Sequence, residues 1–267
     1  MDEILRHLPP GSRVLDLGSG SGSFPLGSLP LQVVRVDLAP RTSAAGGWYV
    51  AGDARRLPFR PAAFDAVIAN HSLEHVPDLP VVLAEIRRVL RPSGALYASV
   101  PDASTLTDRI YRWMAAGGGH VNAFNSAAAL ADLVSRATGL QHVATRPLHS
   151  SLNFLNRRQV RGWPRRKLVL FAFGSEPYLR HLTYLLRLAD RCLPTRLSHY
   201  GWGLYFGRIP APIETFGWTN VCIRCGRAHP SAWLLAAGLV QRRLPGWRVY
   251  PCPACSAVNL FTHDRPS

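Results

Sequence analysis

The chain has 267 residues, 47% of them hydrophobic and 18% charged, enough for one ordinary domain plus a small one and unlike a disordered chain. Its net charge is +15, and because Lys167 is the sole lysine, arginine carries nearly all the positive charge. Such a surface attracts nucleic acid, anionic lipid or acidic metabolites, whereas no apolar run approaches the ~20 residues of a membrane-crossing helix. The opening MDEILRHLPP lacks the basic-then-apolar order of a secretory leader, so the cytoplasm is the expected location. Thiols stay reduced there, and the five cysteines are read as ligands or nucleophiles before disulfides.

In chain order, RVLDL (13–17) is a short apolar run that breaks at Gly18, as a buried parallel strand does. Gly18, Gly20 and Gly22 follow as G-x-G-x-G, a pattern that lets backbone turn sharply and approach a ligand. Pro25, Gly27 and Pro30 then leave little room for a regular helix, so a short or irregular one is expected. VVRVD (33–37) is a second strand. It ends on Asp37, 19 residues after Gly18, close to the ~20 at which an acid reaches a ribose diol.

GDARRLPF (52–59) brings Asp53 and Ala54, and FDAVIAN (64–70) reads as a third strand ending on Asn70. LPVVLAEIRRVLRPSG (79–94) has helical spacing at Val82, Ile86, Val89 and Leu90, stopped by Pro92 and Gly94. GALYASVP (94–101) is a fourth strand. Alternating strands and helices predict a parallel α/β sheet with ligands at the carboxyl ends of its strands.

Taken together, VLDLGSGSG, VVRVDLAP, GDARRLPF and FDAVIANHSLEHVPD resemble the class I S-adenosylmethionine-dependent methyltransferases, nearest to those that methylate small molecules, lipids and quinones. The likeness continues through EIRRVLRPSGALYASVP and GGGHVNAFNSAAALADLVSRATGL, and YGWGLYFGRI (200–209) is similar to that family's last, antiparallel strand. It implies a Rossmann-like seven-stranded sheet with helices on both faces over residues 1–213, with about 146–199 as an insert or lid.

The resemblance also implies roles. Gly18, Gly20 and Gly22 would shape the loop under the methionyl end of S-adenosyl-L-methionine, with Asp16 near its amino group. Asp37 would accept from both ribose hydroxyls, Asp53 would hold the adenine amino group with Ala54 beside the ring, and Asn70 would border the transfer site. The residue-level alternative for Asp53 is a loop acid capping a turn. His71 and His120 are the candidate bases or substrate-orienting groups, with helix cap or hydrogen-bonded wall as the alternative. Quinone O-methyltransferases of this class carry an E-x-x-E-H metal-binding run at this place; here it reads His71, Glu74, His75. NHSL stands where amine methylating enzymes of DNA carry N/D-P-P-Y/F, which disfavours nucleic acid as the acceptor.

Farther on, NRRQVRGWPRRK (156–167) mixes arginines with Trp163 and could bind phosphates, sit on an anionic membrane or be a solvated loop. Leu179, Leu182, Leu186 and Ala189 share one helical face. Finally CIRC and CPAC place Cys222, Cys225, Cys252 and Cys255 as two C-x-x-C pairs with 26 residues between them. Four thiolates so spaced predict structural Zn2+ in a ribbon-like domain over 214–267, with a redox dithiol or disulfides as the alternative. The spacer PSAWLLAAGLVQRRLPG reads as an inserted helix, and Cys192 as a packed helical residue.

The expected function is methylation of an O or N atom on a small-molecule, lipid or glycan acceptor. Two rivals stay open: an RNA- or protein-modifying methyltransferase docking through the ribbon and arginines, and a non-catalytic binding protein with a vestigial cofactor fold.

Overall fold

The computed structural model describes residues 1–39, 45–115, 119–158, 164–213, 217–244 and 246–263. The chain divides into two compact units, Met1–Asp102 with Gly119–Arg146 and Trp202–Thr215, and Ala103–Gly118 with Pro147–Gly201 and Phe216–Ser267. The segment read from sequence as a lid therefore belongs to the same unit as the cysteine pairs.

The first unit is built on β1 (Arg13–Leu17), β2 (Gln32–Asp37), β3 (Trp48–Ala51), β4 (Phe64–Asn70), β5 (Leu90–Pro101), β6 (His142–His149) and β7 (His199–Gly207), in the order β3-β2-β1-β4-β5-β7-β6. Pairs β1–β2, β1–β4, β2–β3 and β4–β5 are parallel. Arg208 N–H donates to Gly94 O and Gly207 N–H to Gln141 O, so β7 ends against the starts of β5 and β6 and runs opposite to both. The far ends of β6 and β7 pass into the second unit.

Strand alternation sends residues to two apolar layers. Leu15, Leu17, Val36, Val67 and Ala69 pack on one face with α2 (Leu79–Val89) and α4 (Ala127–Thr138). Val14, Val33, Ala66 and Ile68 pack on the other with Ile4 and Leu5 of α1 (Asp2–Leu5). Asp78 caps α2 by accepting from Val81 N–H, and Ser126 caps α4 from Ala129 N–H. Gly139 ends α4 at φ 72°, in the left-handed conformation that favours glycine.

Between β1 and β2 the described chain forms only turns, so the irregular helix expected there is replaced by none at all. Phe24 and Leu31, with Leu26 and Leu29, cover the sheet face that a helix would cover. The helix read at 79–94 ends at Val89, and the strand after it starts at Leu90, earlier than the Pro92 and Gly94 signals suggested.

The second unit holds α3 (Leu106–Met114), α5 (Arg165–Leu168) and α6 (Glu176–Cys192), with Met114, Leu152, Leu155, Leu179 and Ile223 as its core. Leu182 and Leu186 pack against that core, as their shared face implied. Beside these elements lie the hairpin of β8 (Thr219–Val221) and β9 (Ala228–Pro230), the short α7 (Ser231–Ala236), and the antiparallel sheet of β10 (Gln241–Leu244), β11 (Trp247–Pro251) and β12 (Val258–Leu260). The spacer between the cysteine pairs is thus part helix and part strand. Cys192, expected to be packed, is exposed at the last position of α6.

Candidate functional site

The carboxyl ends of β1, β2 and β4 bring the glycine turn, Asp37 and Asn70 to one edge of the sheet. Gly18, Gly20 and Gly22 take φ of 66°, 51° and 111°. A Cβ on Gly18 would lie 2.4 Å from Ser72 Cβ, and one on Gly22 would lie 2.6 Å from Ala45 Cβ. A Cβ on Gly20 would meet nothing within 4 Å. Two glycines are therefore required by the protein's own packing, while the third faces open space, as a ligand cradle requires. Asp37 Oδ2 accepts from Gly20 N–H at 2.8 Å and Oδ1 from Ala39 N–H at 3.1 Å. A carboxylate offers about four acceptor sites, so among the described residues half the capacity of Asp37 is uncommitted.

Asp16 is held within the protein beside the glycine turn. Its carboxylate is fully buried, accepting from Ser23 Oγ at 2.6 Å, Ser23 N–H at 2.9 Å and Arg35 Nη1 at 2.5 Å. Both oxygens are thus engaged within the protein, where they shape the loop. Arg35, also fully buried, donates further to Phe24 O, Ala45 O and Gly46 O. The guanidinium thus ties the glycine loop to the segment before β3. It is a central residue that the sequence reading passed over.

Asp53 is likewise engaged. Its carboxylate forms a two-pronged pair with Arg55 and accepts from Arg55 N–H at 2.8 Å, the turn-capping arrangement held open from sequence. Arg55 beside it holds the carboxyl below its usual range. The rest of that loop is pinned by α2: Glu85 Oε2 accepts from Leu57 N–H, and Arg88 donates to Leu57 O and Phe59 O. Ala54 packs at the rim of the core.

At the end of β4, Asn70 Oδ1 accepts from Ser99 Oγ at 2.8 Å. His71 has φ 53°, rare for a non-glycine residue, and is fixed there by its N–H donating to Ser99 O. Its Nδ1 lies 3.3 Å from Glu74 Oε1, and Glu74 is almost fully buried with Oε2 lacking a hydrogen-bond partner among the described residues. His120 comes to a different neighbour. Val121 and Asn122 N–H groups donate to Glu74 O, folding that loop so that the His120 and His75 rings sit 4.9 Å apart. Ligand-type atoms of Glu74, His75 and His120 all lie within 4.8 Å of one another. His71 is not in that group.

In the second unit the four predicted cysteines converge. Cys222 and Cys255 sulfurs are 3.6 Å apart and those of Cys225 and Cys252 3.7 Å, too far for disulfides. A tetrahedron with Zn–S of about 2.3 Å has S···S edges of about 3.8 Å, so the set fits zinc. Each pair closes alike: Gly226 and Ser256 N–H donate to Cys222 O and Cys252 O, and both residues take positive φ. Burial pushes the Cys222 thiol up to about 11 in the absence of metal. Two neighbours escaped the sequence reading: His229 Nε2 is 3.3 Å from Cys252 Sγ, and Asn259 Nδ2 3.7 Å from Cys222 Sγ. Lone polar residues in a ribbon carry no spacing signal that could have marked them.

Residues 15–98 match the family model described as a methyltransferase domain. Within the first unit, this stretch is similar to that methyltransferase domain. Over 135 residues the chain is 35% identical to the malonyl-[acyl-carrier protein] O-methyltransferase of Methylococcus capsulatus, covering 45% of this chain and 49% of that one. It is 41% identical over 95 residues to the demethylmenaquinone methyltransferase of Beutenbergia cavernae, covering 33% and 40%. The chain spans about half or less of the length of these curated relatives. Among solved structures, a candidate methyltransferase from an antibiotic biosynthesis pathway of Anabaena variabilis matches with a TM-score of 0.51 at 16% identity, covering 77% of this chain and 94% of that one. This likeness speaks to the fold alone. The methyltransferase match starts within β1 and stops within β5, so it covers the glycine turn, Asp37, Asp53, Asn70 and His71 and leaves the whole cysteine-bearing unit outside.

Proposed function

We propose that this chain binds S-adenosyl-L-methionine and transfers its methyl group to an oxygen or nitrogen of a small-molecule, lipid or glycan acceptor. The observation that carries the reading is the glycine turn, whose Gly20 faces open space while its amide is held by Asp37. The spare acceptor sites of Asp37 suit the ribose diol, and Gly18 and Gly22 hold the turn in shape. When bound, the sulfonium supplies an electrophilic methyl group, so the protein's tasks are alignment of the nucleophile and removal of its proton. His71 is the base we assign: Glu74, 3.3 Å from Nδ1, orients the ring. His120 is the second candidate, held beside His75. Asp53 with Ala54 would border the adenine, Arg55 sharing the carboxylate. Relatives named for O-methylation of malonyl-[acyl-carrier protein] and for methylation of demethylmenaquinone support an acceptor of this broad kind. The four cysteines would hold a structural zinc ion, closed to catalysis because no coordination position is left.

Calorimetry with S-adenosylhomocysteine tests the cofactor assignment. Wild type should bind at submillimolar ligand, and Asp37→Ala should bind at least about tenfold more weakly, the worth of one or two hydrogen bonds to a charged group. No binding by wild type sinks the proposal; equal binding by Asp37→Ala sinks the ribose assignment.

A further inference from the structure

Between residues 147 and 175 the chain carries six basic side chains and not one carboxylate. Residues 159–163, Trp163 among them, lie outside the described residues, but the end of this stretch is well defined. Arg165 and Arg166 are exposed on α5, and Lys167 lies 4.9 Å over the Trp113 ring with Nζ donating to Trp113 O. Immediately after come Val169, Leu170 and Phe173, exposed by 56%, 66% and 56%. Leu168, just before them, and Phe171, among them, pack against the core of the second unit. The segment therefore splits into an anchored side and a bare apolar side within six residues.

The backbone is arranged at a cost to keep Phe173 out. Ala172 and Phe173 take φ of 46° and 54°, a region that a bulky side chain rarely enters. The bend is clamped by Gly174, where a Cβ would lie 2.0 Å from Leu155 O, and by Arg157 N–H donating to Gly174 O. A fold gains nothing internally from holding a phenylalanine in solvent this way.

We propose that α5 and the segment after it are a peripheral docking surface for an anionic bilayer. Val169, Leu170 and Phe173 would enter the headgroup–acyl boundary, Arg165 and Arg166 would pair with lipid phosphates, and Trp113 with Lys167 would lie at the interface. A bilayer is the occupant that matches both features at once, because it presents negative charge and apolar depth within a few ångströms. The surface would serve this chain whichever acceptor it methylates, and its test is independent of cofactor binding.

The test is flotation of the full chain with two vesicle types, phosphatidylcholine alone and equimolar phosphatidylcholine and phosphatidylglycerol. Wild type should float with the mixed vesicles, not with the neutral ones, and should be released by salt. Arg165→Gln with Arg166→Gln should weaken binding about 30-fold, taking about fivefold per cation near an anionic surface. Leu170→Asp with Phe173→Asp should weaken it at least as much, with far-UV circular dichroism unchanged because both side chains are exposed. Two results overturn the proposal: no flotation of wild type with mixed vesicles, or loss with the arginine variant but not the aspartate variant. The second would mark a general polyanion site.

Discussion

Arg35→Met is the substitution whose cost follows most directly from the geometry. The guanidinium is fully buried and donates to the Asp16 carboxylate and to three carbonyls, those of Phe24, Ala45 and Gly46. Methionine fills much of the volume and supplies no donor. Asp16 would then keep only Ser23 while remaining out of water. Stranding one partner of a buried pair costs about 3–5 kcal/mol, and each carbonyl left short of a donor about 1 kcal/mol more. These losses overlap, so about 4–6 kcal/mol is expected, against a total stability of about 5–15 kcal/mol for an ordinary domain. Urea unfolding followed by circular dichroism measures it. The control is the double variant Asp16→Asn with Arg35→Met, which removes the stranded charge and should recover about 2–3 kcal/mol. A loss under about 1 kcal/mol in Arg35→Met, or a double variant no better than the single one, would refute the reasoning.

The glycines should separate binding from folding. Gly20→Ala, with φ 51° and open space around the new methyl, should cost about 1–2 kcal/mol of stability yet abolish S-adenosylhomocysteine binding. Gly18→Ala, driven into Ser72 Cβ at 2.4 Å, should cost about 2–5 kcal/mol, read from urea midpoints. Burial, with the nearby Arg187 and His199 charges, pushes His149 from 6.5 down to about 2, so the native ring stays neutral while the unfolded ring takes a proton below 6.5. Stability should therefore fall as pH drops below about 6.5, by up to about 1.4 kcal/mol per unit, be unaffected by this ring above about 7.5, and flatten in His149→Gln; equal slopes between pH 7.5 and 5.5 would exclude the effect. Metal analysis should find about one zinc per chain in wild type and far less in Cys252→Ser, with protons released on zinc addition to stripped protein because the Cys222 thiol starts near 11.

Much of the first unit was legible because buried parallel strands announce themselves as unbroken apolar runs, and RVLDL, VVRVD and FDAVIAN each stop where the motif residues begin. WYVA escaped notice for a different reason: β3 is an apolar run of only four residues with both ends exposed, too short to stand out as a buried strand. The division into units was hidden more deeply. Residues 103–118 join 147–201 and the cysteine-bearing end through non-local packing such as Met114 with Leu155 and Ile223, and adjacency in sequence carries no record of it. His71 shows the same limit at the scale of one residue, since nothing in NHSL signals a left-handed histidine; the hydrogen bond to Ser99 O, 28 positions away, imposes it.

The glycine-to-acid spacing is the instructive case, because it survived the loss of the helix that normally accompanies it. Strands β1 and β2 pair with partners nineteen positions apart all along the ladder, Arg13 with Gln32, Asp16 with Arg35 and Leu17 with Val36. Gly18 and Asp37 are simply the next pair in that register. The spacing thus reports how the strands are aligned, not what connects them. What a ribose site needs is that the ends of β1 and β2 be level, and any connection that preserves the register meets that need. Here the register is locked by the buried pair of Asp16 and Arg35 on the face that the missing helix would have covered, and the apolar gap is filled by Phe24 and Leu31. A charge in the middle of VVRVD looks like a flaw in a buried strand. Placed opposite an acid in a strand bearing the same offset, it becomes the element that makes a helix unnecessary, which is why removing it should cost the fold more than removing any ligand-facing residue of the site.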